Sequence, residues 1–218
     1  RCGQCRQNFT GLVGLAMIRE LWSRKVSSSE TDLERMQVMD FLGQSLLYNN
    51  RLDEARTTLE TASATHHLLL HGANHGMTLQ TEMLLGDVLS RQGDYGRAIE
   101  LQHRAHSACS HGFGSDHEAT LYAAGDLANT HRNAGCFPEA EALYRTLLKQ
   151  ERQRHGLDHF ETMQVSYNLA LALKKQHKCN EALELLRDTL PRATRLLGPD
   201  HSTTQPIQHL MAELAALG

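Results

Sequence analysis

Residues 156–201 read GLDHFETMQVSYNLALALKKQHKCNEALELLRDTLPRATRLLGPDH, and this stretch begins and ends on the same short element. The element is a glycine followed, three positions later, by a histidine. It starts at Gly72, Gly114, Gly156 and Gly198, always 42 residues apart, and a threonine stands three positions beyond each histidine. A period of this length, held four times, is typical of a stack of helix pairs in which each pair packs on the next.

Two further columns of small residues lie inside each period. In the first column a leucine precedes a small residue, at Leu42-Gly43, Leu85-Gly86, Leu127-Ala128 and Leu169-Ala170. In the second column an alanine follows twelve residues later, at Ala55, Ala98, Ala140 and Ala182. Small side chains on two neighbouring helices let their backbones approach closely. The columns therefore predict an antiparallel helix pair in each period.

The spacing of apolar residues and of turn residues such as Gly93-Asp94 predicts where each helix lies. The predicted helices cover 9–25, 34–49, 52–70, 78–92, 95–111, 120–134, 137–154, 162–176, 179–197 and 203–217. The fold class is all-α, and residues 1–218 are expected to form one solenoid of about four full repeats with partial repeats at both ends. The partial repeats suggest a fragment of a larger protein. Pro191 falls inside the helix predicted at 179–197, where we expect a kink.

The stretch from Tyr167 to His201 resembles the 42-residue tetratricopeptide repeats of kinesin light chains, and the resemblance covers almost the whole chain. Asn168 stands where those proteins carry an asparagine before the Leu-Ala pair, whereas the other repeats have Phe41, Leu84 and Asp126 there. The resemblance implies a right-handed superhelix of stacked antiparallel helix pairs. It also implies a scaffold that binds a short linear peptide or a partner helix on its concave face.

The first helix of each pair is expected to line that inner face. Its residues that point away from the Leu-Gly/Ala column are therefore candidate ligand contacts. They are Arg91, Tyr122, Asn129, Arg132, Asn133, Gln164, Tyr167, Asn168, Lys174 and Lys175. Amide and phenol groups can hydrogen-bond a peptide backbone, and the basic residues favour an acidic or carboxylate-bearing ligand over the later repeats. The alternative is a solvated helix surface with incidental charges.

Composition narrows the classes of partner. The formal charge of −3 provides no bulk attraction to nucleic acid or to an anionic membrane, and no apolar run is long enough to span a bilayer. Five scattered cysteines favour a reducing compartment, so we expect a cytoplasmic location. No cofactor-binding motif and no catalytic motif is present, and the chain is predicted not to be an enzyme.

Two groups of residues leave a metal-binding site open as an alternative. Cys2 and Cys5 have the spacing of half a zinc site, but no second pair follows at a suitable distance. His67, His71 and His75 step by four residues and could share a helix face, although His75 belongs to the repeated element. The favoured function is a protein-interaction scaffold. A structural spacer, a self-association module and the regulatory domain of a larger multidomain enzyme are the alternatives.

Overall fold

The computed structural model describes residues 11–26, 32–69 and 76–216, and within them it contains ten helices and no strand. These are α1 (Gly11–Val26), α2 (Asp32–Tyr48), α3 (Leu52–Leu69), α4 (Gly76–Gln92), α5 (Tyr95–Phe113), α6 (Glu118–Asn133), α7 (Phe137–His155), α8 (Phe160–Lys175), α9 (Cys179–Leu197) and α10 (Thr204–Ala215). Each helix end lies within about two residues of its prediction, except where neighbouring residues are outside the described part.

The chain divides into two compact units, Arg1–Gly112 and Phe113–Gly218. In the first unit α1 to α4 pack in sequence order, and α2 also contacts α4. In the second unit α6 to α10 pack in the same order, and the first helices α6, α8 and α10 contact one another along the series. Packing between sequence neighbours is the pattern expected for helical repeats.

The small-residue columns lie where the two helices of each pair approach most closely. Ala55, Ala98, Ala140 and Ala182 are all fully buried. A Cβ atom added to Gly43 would lie 2.4 Å from Leu59 Cδ2, and one added to Gly86 would lie 2.7 Å from Gln102 Cγ. The glycine therefore faces the large side chain one turn after the alanine. This contact refines the prediction, in which the alanine itself was the reciprocal partner.

Gly114, Gly156 and Gly198 follow the last residues of their second helices and have positive φ. Gly156 has φ 83° and ψ 178°, and Gly198 has φ 90° and ψ 160°. These ψ angles lie far from the value of about 47° that a left-handed helical cap would have. Extended ψ combined with positive φ is accessible almost only to glycine, which explains why this residue type recurs at the position.

The threonine and histidine of the element hold the turn that follows. Thr120 Oγ1 donates to the carbonyl oxygen of Gly114 at 2.8 Å, and Thr162 makes the same bond to Gly156. His117 Nδ1 accepts the backbone N–H of Ala119 at 3.2 Å, which caps the start of α6. The first copy of the element, at residues 72–75, lies outside the described residues.

The proline in α9 does not end that helix. α9 runs without interruption from Cys179 to Leu197 through Pro191, which is exposed. The ring of Pro191 lacks the N–H that would bond the carbonyl of Arg187. The kink at this point stays a prediction.

We expect Ala140→Leu to lower the free energy of unfolding by roughly 1–3 kcal/mol, because the fully buried alanine has no room for three more carbon atoms. Urea denaturation would measure the change. Ala142→Leu is the matched control, since Ala142 is exposed on the same helix and the substitution there should be nearly neutral. Equal effects at both positions would contradict the close-contact assignment.

We expect Pro191→Ala to raise the free energy of unfolding by up to about 3 kcal/mol, since it restores a helix hydrogen bond and removes a steric clash. Pro138→Ala is the control, because Pro138 occupies the first turn of α7, where a missing N–H costs little. A stability gain confined to Pro191→Ala supports the strained helix interior. No gain at Pro191 would mean that the backbone already accommodates the ring.

Candidate functional site: a cavity between α6, α7 and α8

The second unit contains a cavity of about 380 Å³ bounded by three consecutive helices. The first halves of α6 and α8 form two walls, and the second half of α7 forms the third. Because α7 runs antiparallel to both neighbours, its last turns lie beside their first turns. The position of the cavity is thus a direct consequence of the helix-pair packing.

Four of the predicted ligand contacts line this cavity. They are Tyr122 and Asn129 on α6, and Gln164 and Asn168 on α8. The ring of Tyr122 is 59% exposed, and Gln164 is also exposed. The structure therefore places phenol and amide groups from two adjacent repeats around one space.

A residue of α7 fixes the orientation of Asn129. The buried hydroxyl of Tyr144 donates to Asn129 Oδ1 at 2.7 Å, so the Nδ2 group of Asn129 is the part that can serve a ligand. Burial raises the pKa of Tyr144 to about 12, with Arg132 opposing and Asp126 reinforcing the shift. The phenol accordingly stays neutral and keeps its role as a donor at physiological pH.

The same link occurs in the first unit with different residue types. Gln102 Nε2 donates to Asp87 Oδ1 at 3.1 Å, across the same sequence separation of 15 residues. Burial raises the pKa of Asp87 to about 6, although Arg91 and this hydrogen bond oppose the rise. Arg91, a predicted ligand contact, is thus an exposed residue of the first unit that lies near Asp87.

Arg132 connects the two walls of the cavity. Its Nη1 atom donates to Asn168 Oδ1 at 3.0 Å, which joins α6 to α8 beside a residue of the cavity lining. Asn168 is neutral, so the bond orients the guanidinium without cancelling its charge. Arg132 therefore remains able to attract an anionic group.

Other predicted contacts lie away from the cavity. Lys174 Nζ pairs with Glu213 Oε2 on α10 at 2.5 Å, and this hydrogen bond lowers the pKa of Glu213. Tyr167 is half-buried and packs against the core of the second unit. Asn133 and Lys175 are exposed at the last residues of α6 and α8. Among the described residues, Lys174 makes the direct contact with Glu213, whereas Lys175 acts on the same carboxylate only through its charge, which also lowers the pKa of Glu213.

Sequence reasoning missed the contribution of the second helix. Tyr144, Glu151 and His155 of α7 line the cavity, although the candidate face was assigned to first helices alone. One signal was available, since Asp87 and Gln102 are separated by the same 15 residues as Asn129 and Tyr144. Polar residues at both ends of that interval indicate a contact between the two helices of a pair.

Histidines and carboxylates cluster at the mouth of the cavity. The rings of His155 and His159 stack with centroids 4.3 Å apart, and His159 Nδ1 lies 2.6 Å from Glu161 Oε2. The described residues include no group of three or more His, Cys, Asp or Glu side chains arranged to hold a metal ion. Cys2 and Cys5, one of the metal-site alternatives, lie outside the described residues.

The other metal-site alternative concerns histidines of the first unit. His67 Nε2 lies 3.0 Å from Glu82 Oε1, and Arg104 Nη2 donates to the same oxygen at 2.6 Å. Beside this cluster the buried hydroxyl of Thr81 donates to Asp40 Oδ1 at 2.6 Å. His67 thus forms part of a polar contact between α3, α4 and α5, whereas His71 and His75 are outside the described residues.

A second cavity, of about 490 Å³, lies between α7, α8 and α9 in the same unit. Arg145 on its rim pairs with Glu141 at 2.8 Å and with Glu181 at 2.5 Å. None of the predicted ligand contacts lines this space.

Among the described residues, none of the helices combines the length and apolar character that a membrane crossing requires.

Comparison with protein-family models places the repeats in a known family. Tetratricopeptide-repeat models match residues 32–109, 77–150 and 120–195. The chain belongs to the tetratricopeptide-repeat family. This result confirms the predicted all-α solenoid of stacked helix pairs, because most of the chain is covered by overlapping matches.

Solved structures of tetratricopeptide-repeat proteins have the same fold. A putative kinesin light chain with nearly identical TPR-like repeats from Podosopora anserina superposes with a TM-score of 0.74 at 21% identity, over 84% of this chain and 86% of that one. BtubC (BKLC) from P. vanneervenii gives a TM-score of 0.71 at 14% identity, over 93% and 79%. A Rap protein complexed with competence and sporulation factor gives 0.74 at 12% identity, over 94% and 58%.

A curated protein also matches in sequence. The secreted RxLR effector protein RXLR-C07 of Plasmopara halstedii is 25% identical over 148 residues, which is 67% of this tetratricopeptide-repeat chain. The chain spans 43% of the length of that relative.

We expect Tyr144→Phe to lower the free energy of unfolding by about 0.5–1.5 kcal/mol, because the buried hydroxyl loses its bond to Asn129. Thermal or urea denaturation would measure it. Tyr48→Phe is the control, since that ring is largely exposed and its hydroxyl can bond water in either state. A Tyr144→Phe variant as stable as the control would show that the phenol–amide bond contributes nothing.

Proposed function

We propose that this chain is a protein-interaction scaffold that binds a peptide along α6 and α8, with part of the peptide in the cavity between them. The observation that carries this proposal is the gathering of Tyr122, Asn129, Gln164 and Asn168 around one space of about 380 Å³. Amide groups can pair with both the N–H and the C=O groups of an extended peptide. A spacer has no need of such a polar, partly exposed cavity.

Basic residues beyond the cavity, toward the ends of α6 and α8, support an acidic part of the ligand. Arg132 keeps its charge beside the neutral Asn168, and Lys175 is exposed one residue beyond the paired Lys174. We place the acidic segment of the peptide against Arg132 and Lys175, and not against Lys174. The Rap protein with a similar fold was determined in complex with competence and sporulation factor, so this fold accommodates a bound factor.

The scaffold is proposed to act without catalysis and in a reducing compartment such as the cytoplasm. Cys109, Cys136 and Cys179 are all free thiols, which suits reducing conditions. The matched effector of Plasmopara halstedii is described as secreted. Fluorescence microscopy of the protein in its own cells, with secretion as the alternative outcome, tests the proposed location.

The direct test is a selection of linear peptides from a random display library on the whole 218-residue chain. The affinity of each selected peptide is then measured for the parent chain and for the Gly125→Leu variant. Gly125 lines the cavity, and a Cβ there would make only an ordinary 3.6 Å contact with Leu147 Cδ2. The variant therefore fills the cavity while replacing a helix glycine with a better helix former, so it should not unfold the protein.

We expect the selected peptides to bind Gly125→Leu at least about tenfold more weakly than the parent chain. Gly96→Leu is the matched control, because Gly96 is an exposed helix glycine with no neighbour within 4 Å of an added Cβ. It should leave binding unchanged. A selection that yields no specific peptide, or peptides indifferent to Gly125→Leu, would overturn the proposal in favour of a spacer or self-association module.

A further inference from the structure

The cavity between α6, α7 and α8 is strongly acidic. Four carboxylates line it, contributed by Glu118 and Asp126 of α6, Glu151 of α7 and Glu161 of α8. Arg154 is the permanent cation of the lining, and its Nη1 atom donates to the carbonyl oxygen of Asp116 at 3.1 Å. The carboxylates therefore exceed the permanent positive charge that this lining supplies.

Glu151 stands out among these carboxylates because it is buried. Its exposed fraction is 7%, and its Oε2 atom accepts no hydrogen bond from the described residues. The Nε2 atom of His155 lies 3.9 Å from that oxygen, which permits an ion pair when the imidazole is protonated but is too far for a hydrogen bond. A buried carboxylate oxygen that accepts no hydrogen bond is unfavourable. A cation that entered the cavity and donated a hydrogen bond to Oε2 would remove this cost, which couples binding to the satisfaction of a buried acceptor.

Aromatic and aliphatic side chains complete the lining. The ring of Tyr122 is 59% exposed and that of Phe160 is 43% exposed, both at the cavity. Exposed aromatic faces attract guanidinium and ammonium groups. Leu121, Leu147 and Val165 supply apolar surface on which a long aliphatic stem can lie. This combination suits a side chain with an apolar stem and a cationic end.

We propose that the cavity binds an arginine side chain of the partner peptide, with Glu151 as the counter-ion of its guanidinium group. This inference rests on the proposed peptide-binding function and specifies the ligand. A planar guanidinium can bond carboxylates from more than one wall and stack on Tyr122, whereas an ammonium group offers a single point charge. The acidic segment of the same peptide lies toward Arg132 and Lys175, so the ligand carries charges of both signs.

The test uses a minimal probe, Nα-acetyl-arginine N-methylamide, titrated into the whole chain and followed by NMR. The amide signals of Gly125 and Gln164 report the cavity. The comparison probes are the citrulline analogue, which has the same shape without the charge, and the lysine analogue. The variants are Glu151→Gln and, as matched control on the same helix, Glu139→Gln, whose side chain is exposed and outside the cavity.

The arginine probe should shift both signals saturably, and the citrulline probe should bind at least about tenfold more weakly. Glu151→Gln should weaken the arginine probe by a similar factor, whereas Glu139→Gln should leave it unchanged. Equal affinity for arginine and citrulline, stronger binding of lysine, or an unaffected Glu151→Gln variant would overturn the inference. So would the absence of saturable shifts.

The two proposals fail separately. Selected peptides that lose affinity for Gly125→Leu but contain no enriched arginine would leave the peptide-binding function standing and remove the arginine assignment. Peptides that bind Gly125→Leu as tightly as the parent chain would overturn the proposed peptide-binding function, regardless of the affinities of the arginine, citrulline and lysine probes.

Discussion

The close approach of the two helices in each repeat is the contact on which the rest of the structure depends. Glycine or alanine on the first helix leaves room for the large side chain that the second helix projects toward it, as Gly43 does for Leu59 and Gly86 for Gln102. The alanines one turn earlier on the second helices are fully buried. No larger residue fits these positions without separating the helices, so the repeat period is preserved by steric exclusion.

The same contact positions the candidate site. The residue opposite the small position is Leu59, Gln102, Tyr144 or Leu186, and all four are essentially excluded from solvent. Where this residue is polar, it reaches a side chain on the candidate ligand-binding side of the first helix, as Tyr144 reaches Asn129. A core position thus orients a surface group, because a buried phenol needs a hydrogen-bond partner and Asn129 is within reach.

Charge distinguishes the two ends of this site. The cavity between α6, α7 and α8 carries carboxylates, including the buried Glu151, whereas Arg132 and Lys175 lie toward the ends of α6 and α8. Lys174 resembles Lys175 in sequence, yet its charge is balanced by Glu213, which stands 39 residues further along the chain. Opposite charges at the two ends would favour one orientation of a peptide bound as proposed.

The sequence by itself determined the helices, the repeat and the buried columns, because these features are periodic and a period can be counted. It also identified Tyr122, Asn129, Gln164 and Asn168 as residues of one face, since they recur at helical spacing on first helices. Only the packed structure shows that α7 supplies Tyr144 and Glu151 to the cavity, and that Lys174 and not Lys175 makes the direct contact with Glu213. The physical reason is that these contacts join side chains that differ from repeat to repeat. Their partners depend on distances between packed helices, and these distances cannot be obtained from a repeating sequence pattern.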